Sequence, residues 1–178
     1  MKSQLQCSFE PVFAFGSEED ERILQELSYF AGEIVKEHFD PIIGAAQNDY
    51  MIAKFQSADA IRAQIKEGHE YYLVKAEGET VGFFALVRNL PEREGQLYIS
   101  KYYVHKRFRG NGYASRIFDF MCLQAQADGN KGVYLHVNRE NESAIGVYEH
   151  LGFVKADTMQ TDIGNGFIMD DFVMEYLF

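Results

Sequence analysis

The residues best suited to chemistry lie in one stretch, Leu97-Tyr-Ile-Ser-Lys-Tyr-Tyr-Val-His-Lys-Arg-Phe-Arg-Gly-Asn-Gly-Tyr-Ala-Ser115. Arg107 and Arg109 border Gly110 and Gly112. Glycines let a backbone approach a ligand closely, and arginines place full positive charge beside it. The β-prone run from Leu97 to Val104 enters this loop and a helix leaves it. Ala114, Ile117, Phe118, Met121 and Ala125 fall at i, i+3, i+4, i+7 and i+11, the spacing of one buried helical face. At a strand-to-helix junction the first helical N–H groups lack internal partners and carry partial positive charge. Such a loop is an anion site, and a phosphate or pyrophosphate suits it.

Spacing narrows the ligand. A P-loop closes its glycine run with Gly-Lys-Ser/Thr, whereas Gly112 precedes Tyr113 and Ala114. Gly110, Gly112 and Ser115 come near a dinucleotide fingerprint, and the next strand ends in Asn138-Arg139. Against that, the third glycine is missing, His105-Lys-Arg-Phe-Arg109 separates strand from glycines, and the motif falls past mid-chain.

Arg109-Gly-Asn-Gly112-Tyr-Ala114 resembles the R/Q-x-x-G-x-G/A motif of the GCN5-related N-acetyltransferases, the GNAT family, in its bacterial small-molecule type. Arg107-Phe-Arg-Gly110-Asn-Gly112 fits the same pattern, but the later register lets Ala114 open the helix as in the family. A second segment adds Val133-Tyr-Leu-His-Val137, Asn141-Glu-Ser-Ala144 and Val147-Tyr148-Glu-His-Leu151-Gly152-Phe153. It is similar to the family's strand, N-x-x-A turn and Y-x-x-L-G-F helix end. The resemblance runs from about Tyr71 to Phe153 and is looser outside.

The resemblance implies an α/β (α+β) fold: one N-acetyltransferase domain over residues 1–178, with a mixed, mostly antiparallel sheet flanked by helices and a coenzyme-binding core at about 71–153. It implies acetyl-CoA as cosubstrate. The backbone N–H groups of Arg109, Gly110, Asn111, Gly112, Tyr113 and Ala114 would take the pyrophosphate. Tyr102, Tyr103 and Val104 would pair by main chain with the pantetheine arm, and the Val104 N–H would face the thioester carbonyl. Tyr148 holds the family's general-acid position. By spacing alone it reads first as a core ring, because Ala144, Val147, Tyr148 and Leu151 share a helical face; the Tyr-x-x-Leu-Gly-Phe context reverses that reading. Asn141 is either a helix cap or a cap that also touches the coenzyme.

A general base is not assigned. Many family members carry a Glu on the strand before the glycine loop, where this chain has Tyr98 and Ser100. Glu94 and His136 are the nearby candidates, and a relay through water is a third route.

The chain has 178 residues, 47% of them hydrophobic and 15% aromatic. A chain of this size buries about 70% of its unfolded surface. A net charge of −10 argues against sequence-independent nucleic-acid binding. It makes Lys101, His105, Lys106, Arg107 and Arg109 a local cationic island. No apolar run approaches the ~20 residues that span a bilayer, and Met1–Ser8 lacks the apolar core of a leader. Cys7 and Cys122 form no metal or disulfide pattern. The expected setting is cytoplasmic, without membrane or nucleic-acid partners and with a homodimer left open.

Punctuation sets the layout. A strand near Gln6–Phe15 precedes a helix that Ser17 and Asp20 start in capping-box fashion and Asp40-Pro41 breaks after His38. Helices follow at Asn48–Phe55 and Ala58–Glu67, the second capped by Ser57 and stopped by Gly68. Tyr71–Ala76 and Val81–Arg88 form a hairpin about Glu77-Gly-Glu. After Leu97–Val104 a helix runs to Asp128, capped by Gly129. Val133–Val137 is a buried strand, and Asn141 starts a helix ending at Gly152. Phe153–Thr161 and Phe167–Leu177 close the chain around Gly164-Asn-Gly166.

The acceptor is expected to be a small amine, with some similarity to polyamine and diamine acetyltransferases at Asp40–Phe55 and Asp162–Phe178. Asp157, Asp162, Asp170 and Asp171 suggest a cationic one. A peptide or protein amine, or a non-catalytic acyl-CoA-binding module, are the alternatives.

Overall fold

The computed structural model describes residues 6–178. Most of the leader reading, Met1–Leu5, lies outside them. The elements are β1 (Ser8–Val12), α1 (Glu18–Ile43), α2 (Ala45–Phe55), α3 (Ala58–Lys66), β2 (His69–Ala76), β3 (Glu79–Val87), β4 (Gln96–Val104), α4 (Tyr113–Ala127), β5 (Gly132–Asn138), α5 (Glu142–Leu151), β6 (Val154–Gly164) and β7 (Phe167–Leu177). Seven strands hydrogen-bond in the order β1-β2-β3-β4-β5-β7-β6. The β4–β5 pair is parallel, while β1–β2, β5–β7 and β6–β7 are antiparallel.

The chain divides into two compact units, one holding residues up to Leu86 with Lys101–Ile117, the other Val87–Ser100 with Phe118–Phe178. In the first, α1 buries Leu24, Leu27, Ala31, Ile34 and Val35 along one stripe. Leu24, Leu27, Ala31 and Ile34 pack with Ile61, Tyr71, Leu73, Phe83 and Ala85. Ser17 accepts the Asp20 N–H at 3.0 Å. The return bond from Asp20 goes to the Phe15 N–H at 3.1 Å, not to the cap residue itself.

Pro41 does not break α1. The helix continues to Ile43 and ends at Gly44, with φ 86°. Proline in a last turn forfeits little, because few hydrogen bonds remain beyond it. The α1–α2 corner is held by Asn48, fully buried, whose amide donates to Val35 O at 3.0 Å and Asp40 Oδ1 at 2.8 Å. Consequently α2 starts at Ala45 rather than Asn48. The β2–β3 turn places Glu77 and Gly78 at φ 52° and 78°, the mirror-image turn that matches strand twist.

In the second unit, Phe118, Phe153 and Tyr176 stack edge to face or tilted, with centroids 5.1–6.1 Å apart. Phe118, Met121 and Ala125 of α4 are buried as their spacing predicts. Asn165 and Gly166, at φ 55° and 78°, turn β6 into β7.

Candidate functional site

The glycine loop is built by three local devices, all within the first unit. After Val104 the chain makes a short 3-10 turn over Lys106–Phe108, in which the His105 side chain accepts the Arg107 N–H at 3.1 Å. Arg109 Nε donates back to Val104 O at 3.1 Å, and Asn111 Nδ2 donates to Phe108 O at 3.0 Å. Gly110 and Gly112 then adopt φ 79° and 85°, a region that L side chains rarely enter. The first helical bond of α4 runs from the Arg116 N–H to Gly112 O at 3.2 Å. Gly112 is therefore the N-cap residue, and it has no side chain with which to cap.

A Cβ on Gly110 or Gly112 would meet nothing within 4 Å. Their conformation favours glycine, and the space a Cβ would take is open. A helix start without a capping side chain, beside open space at Gly110 and Gly112 and flanked by the exposed Arg109, is what a phosphate group fits. The residues thus suit the pyrophosphate of a coenzyme.

The same region corrects the cationic island. Lys106 is paired with Glu37 of α1, and Arg107 with Glu79 of β3 at 3.3 Å. Lys101 is not a solvated charge: burial pushes its ammonium down to about 8. It lies 5.7 Å from the centre of the Phe55 ring. Its charge and, more strongly, burial lower the pKa of His69. The sequence marked Lys101 as basic but carried no sign of this burial. Along β4, Tyr102 is 8% exposed with its hydroxyl on Ala114 O, while Tyr103 and Val104 are half-buried. The β4–β5 ladder runs from Gln96↔Gly132 to Ile99↔Leu135.

In the second unit Asn141, 3% exposed, caps α5 by accepting the Ala144 N–H at 3.2 Å. Tyr148 is half-buried, its ring 5.8 Å from that of Phe153. The helical face expected around it shifts by one position. Ile145 is the buried residue and Val147 is 44% exposed, because α5 turns its Ile145 side to the protein. Of the base candidates, Glu94 is exposed. His136 meets the Tyr98 hydroxyl through Nδ1 at 3.3 Å, and burial lowers its pKa. Cys122 is half-buried, and burial with the Asp119 charge pushes its thiol up to about 11, which makes it a poor nucleophile.

The acidic tail is also less uniform than its composition implies. Asp157 and Asp162 are exposed, and Asp170 accepts from Arg139 Nε at 2.7 Å. Asp171 is only 4% exposed. Among the described residues, no helix is long and apolar enough to cross a membrane, and no group of three His, Cys, Asp or Glu could hold a metal.

Comparison with known proteins agrees with this geometry. An uncharacterized N-acetyltransferase of Escherichia coli (strain K12), YjgM, is 30% identical over 112 residues, covering 63% of this chain and 67% of that protein. The PaiA N-acetyltransferase of Thermoplasma acidophilum, solved with coenzyme A, superposes with a TM-score of 0.69 at 19% identity, covering 96% of this chain and 99% of that one. A spermidine N-acetyltransferase of Vibrio cholerae, solved with CoA and spermine, gives 0.61 at 18% identity, covering 98% and 96%. The model of the acetyltransferase (GNAT) family matches residues 32–153, which include the loop, the α4 start, Asn141 and Tyr148. The chain belongs to that family.

Proposed function

We propose that this protein is an acetyl-CoA-dependent N-acetyltransferase that moves the acetyl group to a primary amine of a small cationic acceptor, such as a polyamine or diamine, by direct attack on the thioester. The observation that carries this reading is the glycine N-cap at Gly112, which has no capping side chain and where an added Cβ would meet nothing within 4 Å. The backbone of Arg109–Ala114 binds the pyrophosphate, and Tyr102–Val104 pair with the pantetheine arm through main-chain groups. The Val104 N–H polarises the thioester carbonyl. Acetyl-CoA supplies the activated acyl group. Tyr148 donates a hydrogen bond to the departing thiolate. Asn141 holds the start of α5 and with it the helix that carries Tyr148.

Support for a cationic acceptor comes from charge. The net charge is −10, and two cations of the island are already paired with Glu37 and Glu79. Coenzyme phosphates would leave the surface more negative still, drawing cations in a salt-dependent manner. A spermidine acetyltransferase also shares the fold. The test is release of free thiol from acetyl-CoA with an amine panel, measured at low and high salt. Spermidine should exceed glutamate in kcat/KM and should lose rate as salt rises. A preference for glutamate, or salt-insensitive spermidine turnover, overturns the cationic acceptor. Coenzyme binding without thiol release from any amine overturns the enzyme reading.

A further inference from the structure

One sheet face of the second unit gathers polar groups that the reaction as proposed does not use. Tyr98 stands opposite Tyr134 in the β4–β5 ladder. On the other side of β5, His136 opposes Val173 and Asn138 opposes Asp171. Opposed residues share a face, as do residues two apart along a strand. Tyr98, Tyr134, His136, Asn138 and Asp171 therefore lie on the same face. Ring contacts agree: Tyr98 is 5.0 Å from both Tyr134 and His136.

Asp171 is the anomaly on this face. It is 4% exposed, yet among the described residues neither a cation nor a hydrogen-bond donor lies against its carboxylate. The local cations are engaged elsewhere. Arg139 pairs with Asp170 at 2.7 Å and, with Lys155, covers the Phe172 ring. Phe172 and Asp170 alternate with Asp171 and so point to the opposite face. Arg93, farther along, pairs with Glu175 at 2.8 Å. From β6, the residue opposite Asp171 is the uncharged Met159. Burial, then the charge of Asp170, push the Asp171 carboxyl up to about 6. A carboxylate largely removed from water with no cation is costly, and such groups concentrate where a ligand completes them.

We propose that Asp171 is the recognition residue for a second, non-reacting ammonium of the acceptor, beside the His136 imidazole and the Tyr98 ring. This rests on the N-acetyltransferase reading and narrows its substrate class to diamines and polyamines. Pairing with Asp171 would hold an amine protonated, which is the wrong state for the attacking nitrogen. The ammonium it binds is therefore the distal one. Lowered by burial, the His136 pKa leaves its ring neutral near pH 7, so it adds no repulsion to an incoming cation. The face of the Tyr98 ring is a surface to which a partly desolvated ammonium is attracted.

The test compares spermidine with butylamine, a shorter monoamine that lacks any distal ammonium, in wild type and Asp171→Asn. The variant should raise KM for spermidine at least tenfold while leaving KM for butylamine and coenzyme affinity unchanged. Spermidine should raise the melting temperature of the wild type and not that of the variant. Asp171→Ser, smaller and uncharged, should behave alike and keeps the test available if the Asn variant folds poorly. Equal losses on both amines, or an unchanged spermidine KM in a variant with native-like melting, overturn the assignment. Should the wild type turn over no amine, the acetyltransferase reading fails by itself. Calorimetry of spermidine with coenzyme-loaded wild type and variant then decides Asp171, and equal or absent binding in both overturns it.

Discussion

The carbonyl of Gly112 accepts the N–H of Arg116 at 3.2 Å, so the residue that starts α4 has no side chain with which to cap it. Most helices place a Ser, Thr, Asp or Asn there, as Ser17, Ser57 and Asn141 do in this chain. Leaving the cap empty leaves N–H groups for an external anion.

Gly112→Val should weaken acetyl-CoA binding at least tenfold, about 1.4 kcal/mol. The β-branched side chain enters the open volume and also meets φ 85°, which adds about 1–3 kcal/mol of strain. Gly112→Asn separates the two effects, since Asn tolerates the left-handed region. Calorimetry should show weak coenzyme binding in both variants, with near-native melting in the Asn variant. Unchanged affinity in the Asn variant would remove the loop from the coenzyme site.

Tyr148→Phe deletes one hydroxyl and keeps the ring that lies 5.8 Å from Phe153. If the hydroxyl serves the leaving thiolate, kcat should fall ~10²-fold with coenzyme affinity unchanged. Wild-type turnover in the folded variant would make Tyr148 a packing residue.

Lys101→Met tests the buried ammonium. Its pKa is about 8 in the fold against 10.5 ordinarily. Between those values the unfolded chain binds more protons, so stability rises with pH from about 8 to about 10.5, and the charged form is penalised in full below that window. The variant should be more stable than wild type at pH 7 by on the order of 1–2 kcal/mol. Denaturant titrations at pH 7 and pH 10 should show that advantage shrinking. The same advantage at both pH values would show that the ammonium is not penalised.

Asn141→Ala should cost about 1 kcal/mol, because the Ala144 N–H loses its acceptor at 3.2 Å. Asn141→Asp retains an acceptor oxygen and should recover most of the loss in a thermal melt. If neither substitution changes the melt, the cap contributes nothing measurable.

Much of the frame was legible in the amino-acid order because its causes are local. Ser17, Ser57 and Asn141 each accept the N–H three residues on, and that depends only on the side chain and the turn it starts. Gly78 and Asn165-Gly166 turn their hairpins through positive φ, which Gly and Asn tolerate. The glycine loop is legible for the same reason: two glycines between a strand and a periodic helix make a backbone shape, and the proposed anion site rests on that shape.

Groups whose behaviour depends on distant chain were not legible. Pro41 reads as a breaker, but Asn48 secures the corner beyond it by reaching back to Val35 and Asp40. Lys106 and Arg107 read as free charge until α1 and β3 bring Glu37 and Glu79 against them. Lys101 and Asp171 read as surface charges, yet Lys101 is half-buried and Asp171 is 4% exposed. The order of residues determined the secondary elements, their caps and the shape of the glycine loop proposed to receive a phosphate, because these follow from dihedral preference and hydrogen bonds a few residues long. Tertiary structure alone decided which charges are neutralised, which are stranded and how they titrate, because desolvation and Coulomb energy depend on whatever the fold places nearby.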